Sequence, residues 1–121
     1  KCTFSIHCEN PCEINEIQLM HTKRIIAEWI SNALKYSKPS SISVNIRQKQ
    51  RELYLIIEDN GKGFRWNGEP VGSGLSHISD RARQLSGKVF ARRKVAHKQI
   101  HGTIFIFHFP YRENHISYLF A

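Results

Sequence analysis

Apolar and polar residues alternate over 2–8 (Cys-Thr-Phe-Ser-Ile-His-Cys), the period of a short strand. Pro11 then marks a turn. A helical pattern runs from about Ile14 to Ser37 and is stopped by Pro39. Its predicted buried stripe is Leu19, Ile26, Ile30 and Ala33, spaced three, four and seven apart. Ile42, Val44 and Ile46 alternate with Ser41, Ser43, Asn45 and Arg47, which predicts a half-buried strand. Leu53-Tyr54-Leu55-Ile56-Ile57 predicts a more buried one, joined to the first by a hairpin through Gln48–Arg51. From Glu58 to Gly74 the periodicity gives way to turn residues. A second helix is expected from Leu75 to about Ser86, with Gly87 at its C-terminal capping position. Val89–Ala91 and Thr103–Phe109 read as two further strands, joined by the basic segment 93–101. The order predicts an α/β (α+β) two-layer sandwich, with helices on one face of a mixed sheet.

Composition narrows this picture only at the level of class. Forty per cent hydrophobic and 23% charged residues in 121 positions describe one globular domain. No run of 18 apolar residues occurs, so no membrane-spanning helix is expected. The opening residues show no leader pattern and no Met, which suggests a piece of a longer protein. Cys2, Cys8 and Cys12 match neither a disulfide framework nor a paired zinc knuckle, so reduced cysteines in a cytoplasmic domain are expected. His7 adds no second ligand pair at zinc spacing. The formal charge of +8 is lopsided: residues 1–60 carry eight Lys/Arg and seven Asp/Glu, residues 61–121 ten and three. All seven glycines also lie at or beyond Gly61. A scaffold half and an anion-facing half are therefore expected.

Three places depart from plain architecture. On the long helix, at about 100° per residue, Glu28, Asn32 and Lys35 fall nearly opposite Ile26, Ile30 and Ala33. A solvated face explains this, but Asn32 is a poor helix former where Glu or Lys would serve better. Glu28 and Asn32 are also i, i+4 neighbours whose oxygens can serve a hard cation such as Mg²⁺. Second, Asp59 shares parity with Leu53, Leu55 and Ile57, so its carboxylate faces the apolar side of the sheet. That placement is costly unless something donates to it. Asp59-Asn60-Gly61 could open a hairpin, yet no alternating strand follows. A pocket wall for a flat donor such as the adenine amino group fits better, with Gly61 and Gly63 admitting close approach. Third, Gly72-Ser73-Gly74-Leu75 opens a helix and would let backbone N–H groups reach a phosphate. It is neither a Walker A loop nor a dinucleotide fingerprint.

Taken in this order, the three pieces resemble the ATP-binding catalytic domain of two-component sensor histidine kinases, in the superfamily shared with gyrase, Hsp90 and MutL. Arg24 to Ser37 looks like the N box, Asp59 to Phe64 the G1 box and Gly72 to Leu75 the G2 box. Ser79-Asp80-Arg81-Ala82 through Gly87 resembles the next helix in the subfamily with short lids, and Gly102-Thr103 fits before the last strand. The resemblance covers residues 14–110 and implies a Bergerat-type ATP-binding fold over 1–110, with 111–121 a tail.

Residue by residue, it implies that Asn32 ligates an Mg²⁺ bridging the ATP phosphates, with Glu28 beside the metal and its waters. Lys35, and Tyr36 where the family often has His, would contact phosphate. Asp59 would accept from adenine, with Gly61, Gly63 and Thr103 alongside. Residues 64–74 would form the lid, shut on the phosphates by Gly72 and Gly74 with Leu75 following. The implied partners are a His-bearing dimerisation domain of the parent chain and a response regulator, on the cytoplasmic side, with no nucleic acid. His77 and His115 do not read as the phosphoacceptor, since His77 lacks an acidic neighbour after it and His115 lies beyond the domain. An anti-sigma-factor Ser/Thr kinase of the same superfamily stands as an alternative, and so does a basic nucleic-acid-binding module.

Overall fold

The computed structural model describes residues 1–9, 14–66 and 73–111, with the backbone alone for 73–76. Five strands form one sheet: β1 (Thr3–Glu9), β2 (Ser41–Lys49), β3 (Glu52–Asp59), β4 (Lys88–Ala96) and β5 (Gln99–Pro110). Their spatial order is β1-β2-β3-β5-β4. The β1–β2 pair is parallel, as a crossover through a helix allows, and the other pairs are antiparallel. Helices α1 (Glu16–Asn32) and α2 (Ser73–Gln84) pack against one another over one sheet face, the two-layer α+β arrangement the pattern predicts.

The buried face follows strand parity. Ile42 and Val44 from β2, Leu53, Leu55 and Ile57 from β3, and Phe105, Phe107 and Phe109 from β5 meet Ile25, Trp29 and Ala33 of the first helix. Ile78, Ala82 and Leu85 close the core from the α2 side, three residues four and seven apart in sequence. Trp29 stacks on Phe105 with ring centroids 4.3 Å apart.

α1 begins with a capping box: Asn15 Oδ1 accepts from the Gln18 N–H, and Gln18 Oε1 accepts from the Asn15 N–H. The expected apolar stripe proves to be rotated. Thr22, Ile25, Trp29 and Ala33 are buried, Ile26 and Ile30 sit at the margin, and Leu19 is exposed. Trp29 decides the phase, because its ring buries more apolar area than any aliphatic neighbour. Counting branched aliphatics alone placed the stripe on the wrong flank. The helix also changes character before Pro39. From Ala33 to Ser37 it widens into a π-turn, closed by a Lys38 N–H to Ala33 C=O bond of 3.1 Å with Lys38 at φ 51°.

Three further expectations are corrected. Gly87 is not the left-handed cap of α2; Ser86 takes that conformation at φ 56°. Ser86 and Gly87 donate to the carbonyls of Arg83 and Ala82, the paired bonds of a Schellman ending. Gly87 is small for another reason: a Cβ there would crowd the His108 carbonyl and the Phe107 ring. The basic segment 93–101 is not a connecting loop, because β4 and β5 continue through it and turn tightly at His97 and Lys98. Tyr111, expected in the tail, is buried and donates its N–H to the Arg51 carbonyl, which places it with the core.

Candidate functional site

The C-terminal end of β3 delivers Asp59 to the helix-facing side of the sheet, in register between Ile42 of β2 and the β5 row that carries Thr103. It is 2% exposed. Its Oδ1 accepts from the Ser37 hydroxyl at 2.6 Å and from the Gly61 N–H at 2.8 Å. Its Oδ2 is buried and has no hydrogen-bond partner among the described residues. A buried carboxylate oxygen left unsatisfied is destabilising, so a donor from outside the chain would be stabilising at this atom.

Ser37 is the site residue that sequence reasoning missed. Besides donating to Asp59, its hydroxyl accepts from the Gly63 N–H at 2.9 Å, and its carbonyl accepts from the Lys62 N–H at 2.8 Å. The π-turn is what swings a helix-terminal serine onto the loop after β3. Nothing in its local pattern distinguishes it from a capping serine; the only signal was its place at the end of the N box. Gly61 is required by this contact, since any Cβ would overlap the Ser37 carbonyl. Gly63 adopts φ 78°, and Gly102 adopts φ 106° against the backbone of Asp59. Thr103 is fully buried and its hydroxyl accepts from the Phe64 N–H at 3.2 Å. Asn60 does structural work beside them: its Oδ1 accepts from the Ser40 and Ser41 N–H groups and holds the start of β2.

Phe64 and Trp66 pack inward around Trp29, with centroid distances of 5.0 and 5.8 Å. The first residues of the expected lid are therefore an aromatic anchor. Residues 67–72, including Gly72, lie outside the described residues, and so do Cys12 and 112–121. Gly74 and Leu75 fall in the first turn of α2, which starts two residues earlier than the pattern predicts. Lys35 and Tyr36 are exposed on the π-turn, the ammonium 5.2 Å from the Tyr36 ring centroid.

On α1, Asn32 Nδ2 donates to the Glu28 carbonyl at 2.7 Å, which leaves its Oδ1 without a hydrogen bond among the described residues. The Glu28 carboxylate is turned toward α2. Oε1 lies 3.6 Å from Arg81 Nε and 3.9 Å from His77 Nδ1, while Oε2 is buried without a hydrogen-bond partner among the described residues. A hard cation fits this donor set, one amide oxygen and one free carboxylate oxygen on successive turns. No cluster of three or more His, Cys, Asp or Glu suited to a metal occurs among the described residues, so such an ion would complete its shell with phosphate oxygens and water.

The sequence pattern of the histidine kinase-, DNA gyrase B- and HSP90-like ATPases matches residues 18–113. A sensor protein NarQ homolog of Haemophilus influenzae is 31% identical over 94 residues, covering 75% of this chain and 17% of that protein. Sensor histidine kinase LiaS of Bacillus subtilis is 37% identical over 68 residues, covering 55% of this chain and 19% of its own length. The chain thus spans less than a fifth of these two relatives. The fold is shared with Acinetobacter baumannii histidine kinase AdeS (TM-score 0.75, 19% identity, 93% of this chain and 56% of that one). It is shared equally with the mycobacterial sensor histidine kinase MprB (TM-score 0.72, 20% identity, 93% and 83%). Full-length ShkA in complex with AMPPNP superimposes at a TM-score of 0.73 with 16% identity, over 93% of this chain and 26% of that one. With a family pattern matched over residues 18–113 and a matching order of elements, the chain belongs to the histidine kinase-, DNA gyrase B- and HSP90-like ATPase family, and its relatives are sensor histidine kinases.

Proposed function

We propose that this chain binds Mg·ATP as the catalytic domain of a sensor histidine kinase and presents the γ-phosphate to a histidine on a separate dimerisation domain. The observation that carries the reading is the unpartnered, buried Oδ2 of Asp59. It accepts from the adenine amino group, while Ser37 and Gly61 fix the carboxylate through its other oxygen. Guanine would present a carbonyl oxygen to the same atom, so ATP is bound and GTP is refused.

At the phosphate end, Asn32 and Glu28 would hold the Mg²⁺, which supplies charge neutralisation on the phosphate oxygens. Lys35 and Tyr36 on the π-turn, and the glycine segment from Gly72 to Leu75, would line the phosphates. The acceptor imidazole attacks the γ-phosphorus, the bond to the β,γ-bridging oxygen breaks, and ADP leaves. Transfer of this kind is chiefly positioning plus electrostatics, so the chain without its acceptor domain should turn over little ATP. The sensor-kinase identity of the relatives supports this reading over an anti-sigma-factor kinase. On this reading a response regulator would be the downstream partner, on the cytoplasmic side. Among the described residues, no helix is long and apolar enough to cross a membrane.

Calorimetry with a non-hydrolysable ATP analogue tests the assignment. The wild-type chain is expected to bind, and Asp59→Asn to lose binding while keeping its far-UV circular dichroism. Absence of wild-type binding would refute the function, and undiminished affinity in Asp59→Asn would refute the adenine contact.

A further inference from the structure

The α1–α2 interface carries a polar cluster that the adenine pocket does not use. Arg81 and His77 are i, i+4 neighbours on α2, and they face Glu28 and His21 on α1. Arg81 Nε lies 3.6 Å from Glu28 Oε1, an ion pair longer than a hydrogen bond that leaves Nε buried without a hydrogen-bond partner among the described residues. Arg81 Nη1 lies 3.4 Å from His21 Nδ1. Both side chains of the ion pair are about four-fifths shielded from solvent.

We infer that Arg81 is a positioning residue for the metal end of the site: its guanidinium holds the Glu28 carboxylate by one oxygen, so that the other stays available beside Asn32. The inference rests on the Mg·ATP reading and adds a residue to it.

Three observations argue for it. First, α2 is already attached to the core by Ile78, Ala82 and Leu85, so attachment does not require the ion pair. Second, the pair divides the Glu28 carboxylate between a protein partner at Oε1 and an unpartnered, buried Oε2. Third, Asn32 is held separately, its amide donating to the Glu28 main-chain carbonyl, so the contact with Arg81 acts on the Glu28 carboxylate alone. A guanidinium suits the task because it stays charged and presents several donors in a fixed plane, which lets it reach His21 and Glu28 together. It also counters the negative charge of Glu28, which would otherwise oppose the ATP phosphates. Because α2 begins at Ser73, the same contact joins the helix whose first turn spans residues 73–76 to the helix bearing Asn32.

The test separates the metal end from the adenine end. Binding of ATP is titrated with Mg²⁺, and binding of adenosine is measured without metal, for wild type, Arg81→Met and Arg81→Lys. Met keeps the apolar stem and removes the charge. Losing an outer residue that orients metal ligands typically costs tenfold or more in metal affinity, so the Mg²⁺ midpoint of Arg81→Met should rise about tenfold. Adenosine affinity should be unchanged, and Arg81→Lys should recover most of the Mg²⁺ response. An unchanged midpoint in Arg81→Met overturns the inference. A parallel loss of adenosine and ATP binding also overturns it, because the role would then be structural. Wild-type ATP binding that ignores Mg²⁺ overturns the inference but leaves the adenine contact standing, whereas wild-type failure to bind either nucleotide or adenosine removes the proposed function itself.

Discussion

Asp59 and Ser37 form the smallest unit on which the proposed adenine contact depends. A carboxylate with one oxygen satisfied by the chain and one left buried is stable only while the satisfied side is rigid. Ser37→Ala removes a donor to Asp59 and an acceptor for Gly63 in one step. It should destabilise the domain by about 1–3 kcal/mol, the cost of stranding buried partners, and lower ATP affinity as well. Urea unfolding and calorimetry on the same variant check both outcomes. Gly102→Ala should be harsher, since φ 106° and the Asp59 backbone both oppose a Cβ; soluble, folded protein at wild-type yield would contradict that. The inward position of Asp59 was legible from strand parity alone. Ser37 was not, because its role depends on a bond between residues 22 apart in sequence.

At the scale of elements, the two hairpins turn on unusual residues. Gln50 and Arg51 adopt φ 51° and 68°, and His97 and Lys98 adopt φ 53° and 62°. These are paired left-handed conformations, which Asn-Gly occupies with less strain. Replacing Gln50-Arg51 by Asn-Gly should raise stability by about 0.5–2 kcal/mol, within the range of compatible turn substitutions, with ATP affinity unchanged. Thermal unfolding measures the gain. The basic stretch 93–101 escaped recognition as paired strands because Arg93-Lys-Val-Ala-His-Lys-Gln-Ile-His101 shows no alternation of apolar and polar residues. The first hairpin was legible from the alternating strands flanking a turn equally devoid of Gly and Asn. α1 shows the opposite case. Its length was plain from periodicity, but its phase was set by Trp29 stacking on Phe105, and a single-sequence stripe of Leu and Ile could not anticipate that partner. Trp29→Ala should accordingly cost about 3–5 kcal/mol, as for other buried aromatic truncations, against a small effect for exposed Leu19→Ala. Comparable losses in the two variants would argue against the observed phase.

For the whole molecule, the charge asymmetry acquires locations without acquiring a complete explanation. Lys94 faces Glu58 at 3.5 Å, and Arg92 and Arg93 line a cavity of about 420 Å³ together with Phe64 and Trp66. Ligand binding to the folded state alone should stabilise the chain by about 2.7 kcal/mol at a hundredfold excess over the dissociation constant. A rise in unfolding temperature with Mg·ATP, and none with GTP at equal concentration, is therefore expected; an equal rise with both would contradict the role of Asp59.

The sequence by itself determined the order of elements, the inward Asp59, the pairing of Glu28 with Asn32 on one helix, and the family to which their spacing belongs. These follow from periods of two and 3.6 residues and from short motifs, which are local properties of the chain. Only the tertiary structure decided the phase of α1, the π-turn that brings Ser37 to Asp59, the continuation of strands through 93–101 and the grip of Arg81 on Glu28. Apart from the hairpin through 93–101, whose partners lie close in sequence, these join residues far apart in the chain, through contacts whose free energy exists only once the chain has folded.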